Sequence, residues 1–131
     1  MEEEQSELYR RGIAARRKVL GDEYVDSVTT DLTELDREWQ RLVTEHAWGD
    51  IWGRESGMSL KQRSLNNLCI LAALNRPHEL EIHIRGAIRN GVTVEEIRET
   101  FLQVAVYAGM PAGLDAFKIA KRVLRDEGLL D

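Results

Sequence analysis

One histidine, His83, sits on an otherwise apolar face in the run HELEIHIRGAIRNG. Imidazole titrates near neutral pH, so this side chain is suited to moving a proton or meeting a developing negative charge. Glu79 lies four residues earlier, one helical turn away, where a carboxylate can orient the ring and raise its pKa. Two plainer readings stay open: a core histidine satisfied internally, and an ordinary surface carboxylate at 79. Other chemistries lack their parts. Cys69 is the one cysteine, which excludes an internal disulfide and any Cys-x-x-Cys redox or zinc pattern, and within LCILAAL it reads as a small core residue. Ser64 has no triad around it, and His46, His78 and His83 match no standard ligand spacing, so neither acyl-enzyme chemistry nor a metal is expected. His78 stands at a helix start and reads as a surface residue. Arg85, two residues past His83, points away from it on a helix and reads as structural.

The elements that must position these groups are helices. Apolar residues spaced three and four apart predict helices over 4–20, ending at Gly21, and over 31–48, capped by Thr30 or Asp31. In the second, Leu32, Leu35, Trp39, Leu42, Val43 and Ala47 share one face expected to be buried. Three glycines in WGDIWGRESG predict a loop or single turn over 48–57. Ser59 with Gln62 forms a capping box for a helix to Leu74 that is apolar nearly all round in its second half, hence buried on several sides. After a break at 75–77 a helix runs over 78–90, with Gly91 at the position that favours a left-handed cap. Thr93 with Glu96 is a second capping box, for a helix reaching Gly109, and Pro111 opens a last helix to about residue 126. The expectation is therefore an all-α fold of six helices. The short connections after Ser59 predict that consecutive helices pack as neighbours. The apolar faces, such as Phe101 to Ala108, exceed what one small chain buries, which predicts a homo-oligomer.

Bulk properties narrow the class. A chain of 131 residues is expected to be a single domain, 1–131, with one core. The net charge of −5 leaves no surplus of Lys and Arg for general nucleic-acid binding. The basic run Arg10, Arg11, Arg16, Arg17, Lys18 is interleaved with Glu2, Glu3, Glu4 and Glu7 and reads as a solvated helix face. No signal peptide or membrane-length apolar run is visible, so a soluble cytoplasmic protein with no membrane partner is expected.

The segments HAWGDIW, RSL, LAALNRPHELEIHIRGAIRNGVTVEEIRE and VAVYAGMPAG resemble the carboxymuconolactone decarboxylase family, and within it the subgroup acting on 4-carboxymuconolactone in the β-ketoadipate pathway of aromatic catabolism. The likeness also covers the N-terminal LYRRGIAARRKVLGDEYVD. It implies the alkylhydroperoxidase D-like helical fold, assembled as a trimer or hexamer. The peroxidase members of that superfamily carry a Cys-x-x-Cys four residues before a histidine that falls at His83. Their cysteines fall at Arg76 and Glu79, and an upstream glutamate near Ser64. Both thiols are missing, so peroxidase chemistry is not expected.

The reaction that the resemblance implies removes CO2 from the γ-carbon of an unsaturated lactone. The electrons flow through the ring double bond to the lactone carbonyl, and the carbon α to it is then protonated, giving the β-ketoadipate enol-lactone. The substrate contains its own electron sink, so no cofactor is expected. The protein must supply a cation for carboxylate, a donor for the oxyanion and an acid for the proton; a preorganised donor is worth about 3–4 kcal/mol. On this reading His83 is the donor or acid, Glu79 orients it, and Arg63 forks the carboxylate of the lactone, or else makes a salt bridge within or between subunits. Trp48 and Trp52 wall the ring and exclude water, or else plug the core beside their loop. Tyr107 and His46 are further substrate contacts. A lactone hydrolase or isomerase, and a non-catalytic oligomeric binder, are the alternatives on the same scaffold.

Overall fold

The computed structural model describes residues 5–55 and 57–131. The expected acidic residues Glu2, Glu3 and Glu4, and with them the start of the first expected helix, lie outside the described residues. The chain forms helices α1 (Glu7–Leu20), α2 (Asp22–Thr29), α3 (Arg37–Leu42), a π-helical segment (Val43–Trp52), α4 (Leu60–Ala73), α5 (Pro77–Arg89), α6 (Val94–Ala108) and α7 (Met110–Asp126), with no strand among the described residues. The all-α reading holds, with more helical segments than the six expected. They group into two compact units, residues 1–58 and 59–131.

In the first unit Ser6 caps α1 by accepting from the Tyr9 N–H at 3.0 Å, and Gly21, at φ 86°, ends it where glycine was expected to. The same glycine opens α2, which the apolar spacing did not show because Val25 is its one buried residue. The expected helix over 31–48 begins later. Asp31 takes a left-handed φ of 57°, and the Asp36 carboxylate accepts from both the N–H and hydroxyl of Thr33, holding a turn up to Arg37. Its expected buried face is open: Leu35 is 91% exposed and Trp39 59%. The expected loop over 48–57 is π-helical as far as Trp52.

Backbone approach accounts for this arrangement. A Cβ on Gly12 would stand 2.0 Å from the Thr44 carbonyl oxygen, and one on Gly49 would stand 2.5 Å from that of Leu8. The π segment therefore rests directly on α1, with Thr44, Trp48 and Trp52 turned inward. Arg11 Nε donates to the Gly49 carbonyl at 2.9 Å, satisfying a group that the wide π turn aligns poorly. The basic run of α1 is consequently not one solvated face. Arg16 is buried, donates to Gln40 and Thr44, and lies 6.0 Å from the Trp48 ring centroid. Those acceptors and the ring face compensate a buried cation.

The second unit follows its capping signals. Ser59 accepts from the Gln62 N–H, while the Gln62 side chain turns to Asn66 instead of closing the box. Asn75, at φ 56°, ends α4, and the Arg76 N–H reaches back to the Leu71 carbonyl. Pro77 then opens α5, which Gly91 closes at φ 86°. The Thr93–Glu96 box is complete in both directions, and Glu96 also pairs with Lys61 of α4 at 3.0 Å.

Leu68, Leu80, Ile84, Phe101 and Val123 fill the core, with Phe117 edge-on to Phe101. α4 packs on α5 and α6, and α7 on the same two helices. Against expectation, α5 and α6 do not form a packed pair although they are consecutive, because each buries its apolar stripe on α4 and α7. Nor is α4 buried on several sides: Ile70 is half exposed, as is Leu102 of α6, and Val106 and Tyr107 of α6 are mostly exposed.

Candidate active site

The second unit brings His83 against α4. The imidazole retains 8% of its surface, and the Asn67 amide Nδ2 lies 3.4 Å from its Nδ1. Leu68 and Ile84, the residues following each, are fully buried, so the site is built on the best-packed stretch of both helices. A second polar contact sets their register: Asn90, at the end of α5, donates to the buried Ser64 hydroxyl of α4 at 2.9 Å. Ser64 is thus a satisfied structural residue. Burial pushes the His83 pKa down from 6.5 to about 4. The rise expected from Glu79 is therefore corrected: desolvation disfavours the charged ring, and Glu79 is exposed on the first turn of α5.

Arg63 lies one turn before Asn67 on α4. Its Nε is buried without a hydrogen-bond partner, and the residue makes no ion pair among the described residues. An unsatisfied guanidinium N–H is costly, and a carboxylate is the group whose geometry matches it. Asn67 was missed in the sequence because asparagine in a helix carries no periodic signal; its position one turn after Arg63 is the one clue. Arg85 points to α7, pairing with Glu127 at 2.6 Å and with Asp126 and Glu81. It is a clamp between helices, as its spacing from His83 predicted.

Trp48 and Trp52 are stacked, ring centroids 5.1 Å apart, inside the first unit. His46 is exposed on the π segment, and Tyr107 on α6 is 86% exposed. Cys69 packs at the core edge, its thiol pKa raised by burial, away from nucleophilic character. Among the described residues no group of three or more His, Cys, Asp or Glu is placed to hold a metal ion, and no helix is long and apolar enough to cross a membrane.

Residues 37–122 match the model of the carboxymuconolactone decarboxylase family. The chain belongs to that family. Relatives agree along nearly its full length. It is 44% identical over 124 residues to a nitrosuccinic acid decarboxylase of Metarhizium robertsii, covering 92% of this chain and 86% of the relative. It is 36% identical over 121 residues to a 4-carboxymuconolactone decarboxylase of Acinetobacter baylyi, covering 92% and 90%. A Pseudomonas putida 4-carboxymuconolactone decarboxylase is 42% identical over 47 residues, 36% of this chain. Carboxy-lyase activity on a small molecule is thus the family-level function of this carboxymuconolactone decarboxylase family member.

Proposed function

We propose that the protein decarboxylates a small dicarboxylic acid whose own structure accepts the electrons released with CO2, with no cofactor. The observation that carries this reading is the buried, unpartnered Nε of Arg63 one helical turn from the Asn67–His83 pair. In 4-carboxymuconolactone the acceptor is the lactone carbonyl, reached through the ring double bond. Nitrosuccinate offers the same logic in shorter form: its nitro group takes the electron pair as a nitronate, and protonation at carbon completes the reaction. The relative at 44% identity favours nitrosuccinate as the second reading; the sequence motifs favour the lactone.

Both acids carry two carboxylates, and only one leaves. Arg63 serves the reaction best on the one that stays. A fork on the departing group would stabilise the ground state more than the transition state. His83, neutral by burial, then meets the new negative charge as a hydrogen-bond donor. The exposed apolar side chains Leu102, Val106, Tyr107, Met110 and Leu114 support self-association, for which the family resemblance implies a trimer or hexamer. In that case Tyr107 contacts substrate only when another subunit covers it. The family model spans parts of both compact units, which supports their working as one domain.

Purified protein mixed separately with the two acids tests the reading. CO2 release from either is expected, and the faster acid identifies the substrate. Lactone opening without CO2 would point to a hydrolase, and two unchanged acids to a binding protein; either result overturns the proposal.

A further inference from the structure

The following rests on the decarboxylase reading of the site and adds the residue that sets the form of its histidine. We propose that Asn67 is a positioning residue: its amide N–H donates to Nδ1 of His83, which places the imidazole proton on Nε2 and makes that N–H the donor for the oxyanion of the substrate. A neutral imidazole has one donor nitrogen and one acceptor nitrogen, and the hydrogen bond at one decides the other. An amide nitrogen only donates. With the amide turned so that Nδ2 faces the ring at 3.4 Å, the nitrogen it faces accepts, and the proton falls to the opposite side of the ring.

The register of the two helices holds the pair in place. The bond between Ser64 and Asn90 and the contact between Asn67 and His83 follow one another along α4 and α5 in antiparallel order, so both bind the same two backbones. Asn90 also donates to the Leu60 carbonyl in the first turn of α4. Burial of the ring keeps it neutral, the state in which a tautomer is a meaningful choice. A neutral Nε2–H donor in a dry setting stabilises growing charge while keeping its proton. Arg63 and Asn67, a turn apart on α4, thereby divide the work: one for a carboxylate, one for the histidine that meets the sink.

The test uses the full chain labelled with 15N-histidine and no substrate, the His83 signals being assigned by their loss in His83→Gln. Wild type should show an unprotonated, pyridine-type Nδ1 and a protonated Nε2 at neutral pH. Asn67→Asp, which replaces a donor with an acceptor, should move the proton to Nδ1; Asn67→Leu should give a mixture of tautomers. Both should lower kcat on the accepted acid by about 10- to 100-fold with KM little changed, while the helical circular dichroism is retained. A protonated Nδ1 in wild type, or signals unmoved by both substitutions, overturns the role of Asn67 whatever the protein decarboxylates. Failure to release CO2 from either acid would instead sink the reaction assignment, and the spectrum would still read the tautomer.

Discussion

His83 is buried as a neutral base, and that has consequences for stability as well as turnover. Unfolded, the ring takes a proton near pH 6.5; folded, only near 4. Between those values the unfolded chain binds more protons, so stability falls as the pH falls, by about 3 kcal/mol once pH 4 is passed. Urea unfolding of wild type and His83→Gln at pH 7 and pH 4 should show the wild type losing more of its stability; equal losses would mean the ring is not buried neutral. His83→Ala should keep its helical circular dichroism and lose about 10²- to 10³-fold in turnover, whereas activity within a few-fold of wild type removes the residue from the site. Arg63 carries the opposite balance. Its unpartnered buried Nε costs about 1–3 kcal/mol, so Arg63→Met should raise the thermal midpoint by a few degrees. The same change should raise KM about 10- to 100-fold, or about 1.4–2.8 kcal/mol. A stabilised variant with unchanged KM would show that Arg63 does not hold substrate.

At the scale of elements, the caps were legible and the close contacts were not. Ser59, Thr93 with Glu96, Gly91 and Pro111 each act locally, on residues a turn or less away, so the residue types alone place helix ends. The π segment has no such local signature. It is held by contact between backbones at Gly12 and Gly49, two glycines far apart in the chain. Glycine in WGDIWG reads as loop when its value is proximity. Gly12→Ala should therefore destabilise the first unit by about 3 kcal/mol or more, since the Thr44 carbonyl is backbone and has to move. Thermal unfolding followed by tryptophan fluorescence measures this, because Trp48 and Trp52 lie in the same contact; an unshifted midpoint would mean the two helices separate at little cost.

For the whole molecule, the apolar surface left open is the main datum. Val106 is 70% exposed, Tyr107 86%, Met110 68% and Leu114 55%, all around the junction of α6 and α7. Sedimentation velocity should find the protein as an oligomer, with Val106→Glu shifting it to smaller species; a monomeric wild type would mean that these side chains face water in solution. The same exposure explains why the faces of α4 and α6 read as buried all round in the sequence: periodicity reports that a face is apolar, not what covers it.

The sequence by itself determined the helical class, most helix ends and the singling out of His83, because these depend on residue type and spacing along one helix; the family, and with it the reading of Arg63, came from motifs that resemble the family's along nearly the whole chain. Tertiary structure alone decided that Asn67 meets the imidazole, that Arg16 is buried and Glu79 is not, and that burial drives the histidine neutral. Each of these follows from which helix lies against which, and a side chain acquires its dielectric and its partners from neighbours that are distant along the chain.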